Sequence, residues 1–434
     1  MRVGRRLVTG VFTAGLLAGV GLLTACGGGS SNSSSGNASV RLLNATSGYA
    51  SLDLALDTKA VNTAVLFGAS GSYGSAASSG VATVITNTGS TAALSTVNRT
   101  LTKDAHYTLI AYGSPGALLT RVIQEDTSAP ASGLTSLQII NLAPDAGPVD
   151  VYLSGSTDAL DGATAVASAL SSGGSLPITN ITSGTYRLRV TGSGDKTDLR
   201  LDVQGVVLTS AKVATLLLSN GVGGVLVNGV LAEQQGAAKA LVNNQARVRV
   251  IAAVTSGATV SATVGSTTVA SAVLTPNIDR TYTQVPTSTG APVTVVVNGV
   301  QQVLANQVFT AGADYTLWVS GAAASPVVSL VADDNRYPTV SGNARMRLVN
   351  ATSGAPASYT LKSDFSAVAN SVAQGQASAY ANVAASTTAR LDVSTGSNAT
   401  LTPLTGVTIA AKGLYTMYLI GDSSAPVTDF RKER

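Results

Sequence analysis

Val40-Arg41-Leu42-Leu43-Asn44-Ala45-Thr46-Ser47-Gly48 returns late in the chain as Met346-Arg347-Leu348-Val349-Asn350-Ala351-Thr352-Ser353-Gly354, identical at seven of nine positions. Leu137-Gln138-Ile139-Ile140-Asn141 and Val248-Arg249-Val250-Ile251 are weaker copies, which puts the four starts 97, 111 and 98 residues apart. A second marker, Tyr107-Thr108-Leu109, recurs as Tyr315-Thr316-Leu317 and Tyr415-Thr416-Met417, with Ala214-Thr215-Leu216 as its degenerate form. It follows the four starts by 67, 77, 67 and 69 residues. Two markers at a nearly constant offset indicate tandem duplication, with an insertion of about ten residues in the second copy. The chain must therefore fold as four similar units, expected over residues 40–132, 133–243, 244–341 and 342–434.

Each unit reads as β. Arg247-Val248-Arg249-Val250, Tyr186-Arg187-Leu188-Arg189-Val190 and Arg390-Leu391-Asp392-Val393 alternate polar with apolar residues, the pattern of half-buried strands. Asn228-Gly229, Asn298-Gly299, Ser183-Gly184 and Pro144-Asp145-Ala146-Gly147 are turn signals. Aromatic residues make up 4% and charged residues 11% of the chain, while 45% is hydrophobic, so the composition favours short strands around buried cores. The expected fold is all-β, as tandem immunoglobulin-like β-sandwich repeats. The Cys…Trp…Cys core of true immunoglobulin domains is absent, so that likeness is architectural.

Ahead of the repeats, Arg2, Arg5 and Arg6 precede an apolar run that ends in Leu23-Thr24-Ala25-Cys26. The arrangement resembles the signal peptide and lipobox of bacterial lipoproteins. The resemblance implies cleavage after residue 25, a lipidated Cys26 as mature N-terminus, and membrane attachment through that lipid. An uncleaved anchor is the other reading, weakened by Gly10, Gly15, Gly19 and Gly21 within the run. Residues 26–39 then form the lipidated cysteine and a Gly/Ser linker, a flexible coil spanning roughly 20 Å. Gly27 stands where an Asp commonly signals inner-membrane retention, so the outer membrane is favoured in a two-membraned cell. Removing residues 1–25 leaves 23 basic and 22 acidic residues, a balance that provides no electrostatic footprint for nucleic acid.

Asn141-Leu142-Ala143-Pro144-Asp145-Ala146-Gly147-Pro148-Val149-Asp150-Val151-Tyr152 resembles the signature of an uncharacterised repeat domain of bacterial exported proteins, a domain of unknown function. The first and fourth copies replace Pro-Asp with Ser-Gly, and the third is furthest from the pattern. The resemblance implies a surface-located β-sandwich and carries no activity, ligand or functional residue.

The candidates for chemistry are few. His106, the single histidine, lies at a strand start and has no counterpart in the other copies, where Val213, Asp314 and Leu414 stand, so a solvated strand-edge role is expected. With Cys26 committed to lipid, zinc sites of several His or Cys ligands are excluded, and no metal or cofactor is expected. Glu125-Asp126 and Asp333-Asp334-Asn335 follow the last strands of copies one and three; calcium is one reading, and solvated linker charge is preferred. Asp53 and Asp150 occupy equivalent strand positions where copy three has Ser261; they read as solvent-facing acids that discourage edge pairing rather than a glycosidase pair. Asn44-Ala45-Thr46, Asn180-Ile181-Thr182 and Asn350-Ala351-Thr352 match the glycosylation sequon and read as turn residues. Gly221-Val222-Gly223-Gly224 lacks the strand–loop–helix context of a phosphate loop.

Trp318 and Tyr418 follow the second marker in copies three and four and face away from Leu317 and Met417. They form either a partner or carbohydrate platform or the surface on which adjacent repeats pack. The expected function is that of a non-enzymatic, lipid-anchored envelope scaffold, spacer or adhesive module with an envelope protein or glycan as partner. The alternative is a carbohydrate or small-ligand binder using the face near Trp318 and Tyr418.

Overall fold

The two recurring sequence markers are each other's register partners. Val40 pairs with Tyr107, Leu137 with Ala214, Val248 with Tyr315 and Met346 with Tyr415, in each case across a parallel strand pair. A fixed offset in sequence is thus a fixed register in the sheet, because a slip of one residue would turn every core side chain outward.

The computed structural model describes residues 36–434 except Ser256, Arg280, Pro356 and residues 396–400. The signal segment, Cys26 and most of the Gly/Ser linker lie outside the described residues. Among those described, the chain contains strands only, arranged in eight sheets that form four two-sheet sandwiches.

In the first sandwich one sheet runs Gly74–Ala77, Asn37–Asn44, His106–Ser114, Ala117–Gln124; the other runs Lys59–Leu66, Ser51–Leu56, Val81–Asn87, Ala93–Arg99. The remaining three repeat that plan. The opening strand lies centrally, parallel to the penultimate strand, which hairpins into the closing strand. Repeat 2 adds Ala238–Leu241 beyond its closing strand, and repeats 3 and 4 split the strand flanking the opener into two short pieces. Immunoglobulin domains divide their strands differently between sheets, so the likeness is to the sandwich and not to the strand order.

Each sandwich encloses its own apolar core. In repeat 1 it comprises residues such as Val40, Leu42, Leu52, Leu54, Ile85 and Leu109; in repeat 3, Val248, Val260, Val295 and Leu317. A second set of residues fixes the sandwich geometry. Asn44, Asn141 and Asn350 are fully buried; each accepts from the backbone N–H two residues on and donates to a carbonyl of the opposite sheet, at Val65, Leu170 and Val372. Two of the sequon asparagines, Asn44 and Asn350, are therefore turn clamps sealed from solvent.

Asp53 and Asp150 differ from expectation. Asp53 accepts from the N–H of Ala64, and Asp150 from that of Ala169. Ser261 and Thr360 do the same for Ala272 and Ser371. All four donors sit at left-handed φ of 47–53° beside a register shift in the neighbouring strand. These side chains clip a β-bulge; Asp150 is buried and does not repel a sheet edge.

Candidate functional site: the paired outer faces

The outer face of each opening sheet carries the residues expected to be exposed, and it is covered by another repeat. Residues 36–434 form one compact unit. Within it, Leu43, Ala45 and Ile110 of repeat 1 pack on Ile140, Leu142, Leu217 and Val230 of repeat 2. Ile251, Ala253 and Trp318 of repeat 3 pack on Val349, Ala351 and Tyr418 of repeat 4.

Trp318 and Tyr418 are 4% and 0% exposed, with ring centroids 6.0 Å apart. The structure assigns them to the core between sandwiches, which removes the binding platform the sequence allowed; a ligand has no access to either ring.

The arginines of the opening strands are buried in these same faces. Strand alternation places Arg41 beside Leu43, and Arg249 beside Ile251, on the side away from the sandwich core. Three repeats share one constellation. Arg41, Arg249 and Arg347 each donate from Nε to the threonine hydroxyl in register on the penultimate strand, Thr108, Thr316 and Thr416, at 2.8, 2.8 and 3.3 Å. Each lies over a tyrosine ring, Tyr73, Tyr282 or Tyr380, at 4.7–5.1 Å. The residue after or ending the closing strand supplies an acid: Glu125, Asp333 or Glu433.

Repeats 3 and 4 exchange these acids reciprocally. Arg249 Nη1 donates to Glu433 of repeat 4 at 2.6 Å, and Arg347 Nη2 donates to Asp333 of repeat 3 at 2.8 Å. Asp333 also accepts from the hydroxyls of Thr316 (2.5 Å) and Tyr282 (2.8 Å). Tyr418 donates its hydroxyl to Glu433. Burial pushes the Asp333 carboxyl up, but Arg347 and Arg249 outweigh it and hold it below the ordinary carboxylate range. Glu433 is held low in the same way, chiefly by Arg249. In Tyr418 burial dominates and raises the phenol well above its usual value. Fixed charges paired in both directions suit a structural latch, since an unpaired buried charge would cost several kcal/mol.

Repeats 1 and 2 are latched from one side. Arg41 holds Glu125 of its own repeat at 3.0 Å and donates to the carbonyl of Gly236 in repeat 2 at 2.5 Å. Gln235 of repeat 2 returns a backbone N–H to Glu125 at 3.1 Å. At the corresponding positions repeat 2 carries Gln138, Pro177 and Gln234, so arginine, tyrosine and acid are lost together. Gln234 instead makes a reciprocal amide pair with the backbone of Thr127, at 3.0 and 2.7 Å.

These partners correct the reading of the junction acids. Glu125 and Asp333 are buried counterions of arginine, neither solvated linker charge nor calcium ligands, and no cluster of metal-ligating side chains occurs among the described residues. Asp334 is half-buried and chelated by Arg336 and Arg345, both at 2.7 Å. His106 stays half-exposed, with Nδ1 3.0 Å from Asp126, as a strand-edge residue would.

The two pairs are joined through Asp145 and the glycine-rich turn of repeat 2. Asp145 accepts from the Tyr337 N–H at 2.8 Å and from Asn220 at 2.6 Å, while its carbonyl accepts from Arg434. Gly223 donates its N–H to the Gly312 carbonyl at 2.8 Å. A Cβ on Gly223 would come within 2.8 Å of the Asp314 nitrogen, so this turn is glycine because backbone meets backbone there.

Residues 38–152 match a family described as a domain of unknown function (DUF4397). The match runs from the opening strand of repeat 1 through the Val149-Asp150-Val151-Tyr152 strand of repeat 2. No curated protein matches the chain. Among solved structures, a product complex of a multi-modular glycogen-degrading pneumococcal virulence factor is similar at 9% identity and a TM-score of 0.16, over 92% of this chain and 38% of that one. The Bacillus anthracis TIE protein is similar at 11% identity and a TM-score of 0.13, over 90% of this chain and 70% of that one. The chain thus spans under two fifths of the pneumococcal protein's length, and neither likeness carries an argument about function.

Proposed function

We propose that this protein is a lipid-anchored component of the bacterial envelope in which four sandwiches act as one non-enzymatic scaffold or adhesive body. The observation that supports this most is the reciprocal exchange of Arg249–Glu433 and Arg347–Asp333 between repeats. With the latches engaged, the repeats are not beads on a string; the array presents its remaining faces in a fixed relation, as a scaffold requires. Arg41, Arg249, Arg347, Trp318 and Tyr418, which recognition could otherwise draw on, are engaged in holding repeats together. Leu23-Thr24-Ala25-Cys26 supports the anchor, and Gly27 supports the outer membrane where two membranes exist. Two or three acyl chains on Cys26 would hold the body stably, where one would hold it only marginally.

The test is Cys26→Ser. Wild type is expected to label with palmitate and fractionate with membranes, and the variant to do neither while remaining folded. A variant that still labels and still sediments with membranes refutes the anchor. Crosslinking in intact cells, expected to recover one stoichiometric protein partner, tests the scaffold role.

A further inference from the structure

Between the two pairs of sandwiches lies a cleft of about 580 Å³, within the range of small-molecule sites and at a domain junction, where such sites concentrate. Its walls come from repeats 1, 2 and 4 and from the segment joining repeats 3 and 4. Tyr337, Tyr380, Pro115, Pro144, Pro338 and Leu119 line it. Leu119 is 46% exposed, although it lies in the middle of the closing strand of repeat 1.

The walls are pre-formed. Tyr337 is pinned by its N–H to Asp145 and lies under the Arg434 guanidinium at 4.3 Å. Tyr380 is held by Arg345 and Arg347 at 4.9 and 4.7 Å. Rings locked in place lose little freedom when something stacks on them.

The cleft also carries surplus positive charge. Three cations, Arg336, Arg345 and Lys412, line it against two carboxylates, Asp145 and the Asp334 that both arginines chelate, and Lys412 makes no ion pair among the described residues. Lys412 occupies a turn at φ 63°, whose equivalents in the other repeats are Asp104 at 62°, Ala211 at 56° and Gly312 at 75°, so the turn accepts several residue types and only repeat 4 places a cation there. Lys412 thus contributes a cation without an ion-pair partner to the lining of an aromatic-walled cleft.

We infer that this cleft binds a small carboxylate-bearing ring compound, of which a carboxylated sugar is the fitting chemistry: ring C–H faces against Tyr337, Tyr380 and the prolines, and the carboxylate at Lys412. The inference goes beyond the scaffold role: of the cleft residues it uses, only Tyr380 also belongs to a latch, under Arg347.

The test uses the mature full-length chain with digalacturonate, maltose and inorganic phosphate as probes, followed by calorimetry and tyrosine fluorescence. Digalacturonate is expected to bind saturably, and maltose and phosphate at least about tenfold more weakly. Lys412→Gln should weaken digalacturonate by about tenfold, one charge-assisted contact, and Leu119→Trp should abolish binding by filling the cleft. Both positions are exposed, so unchanged circular dichroism and thermal midpoints certify folding. No binding of digalacturonate, equal binding of maltose or phosphate, or binding indifferent to both variants overturns the inference.

Discussion

Asp333→Asn should unlock repeats 3 and 4. The Asp333 carboxylate is completely buried and accepts from Arg347, Thr316 and Tyr282 at 2.5–2.8 Å, with Arg249 Nε a further 3.8 Å away. Asparagine preserves the shape and removes the charge. Two buried guanidiniums, 1% and 2% exposed, would then share the single carboxylate of Glu433. Breaking a buried pair on one side costs about 3–5 kcal/mol, mostly because the surviving charge is left uncompensated. Arg347→Gln added to Asp333→Asn removes that surplus and should recover stability to within about 1–2 kcal/mol of wild type. Repeat 2, with Gln138 and Gln234, already uses a neutral version of the same positions. Trp318, buried between the two repeats, is the local reporter, so its emission under guanidinium denaturation reads this interface. A cost below about 1 kcal/mol for the single variant, or a double variant no more stable than the single, would refute the latch.

The same carboxylates set an acid limit. Asp333 and Glu433 titrate below their unfolded values of about 4, so their contribution is complete above that pH and is lost as the pH falls through the lowered folded values; Trp318 emission should change below about pH 4, and Asp333→Asn/Arg347→Gln should diminish that change. Asp53→Ala strips the Ala64 N–H of its acceptor and should cost about 1–2 kcal/mol in urea unfolding, whereas Asp53→Ser, the solution used in repeat 3, should cost less than half of that. Asp145→Ala should leave each sandwich folded while loosening the two pairs, seen as loss of hydrogen-exchange protection at the Tyr337 amide; retained protection there would refute its bridging role.

The plan of each repeat was legible because it rests on local signals. Alternating strands, turn dipeptides and two markers at constant offset are written into contiguous residues, and the markers prove to be paired across a parallel ladder. The faces between repeats were harder to read. Arg249 in Arg-Val-Arg-Val looks like the solvated half of an amphipathic strand, and only a second sandwich laid over that half makes it buried. Its partner Glu433 lies 184 residues away, so no window of sequence joins them. Tyr73, Tyr282 and Tyr380 carry no local signal for the same reason, being adjacent to their arginines only across an antiparallel edge. One signal was available: aligning the four copies shows arginine, tyrosine and acid present in three and all absent from the second, and groups lost together are groups that work together. The clipping roles of Asp53 and Asp150 have no sequence signal, because a β-bulge is invisible in a pattern of period two.

The parallel pairing of opening and penultimate strands has a consequence for how the chain matures. Arg41 meets Thr108 across 67 residues, and the same separation recurs between Arg249 and Thr316. An opening strand that emerges first must wait for most of its repeat before its central ladder can form, and such long-range closure is slow. Each repeat therefore stays open until its penultimate strand has been made and then closes nearly all at once. The latch comes later still, because Arg249 requires the far strand of the following repeat. Assembly is thus ordered by topology: sandwich before pair, with the apolar outer faces uncovered in the interval. That interval is when a chaperone would have most to hold.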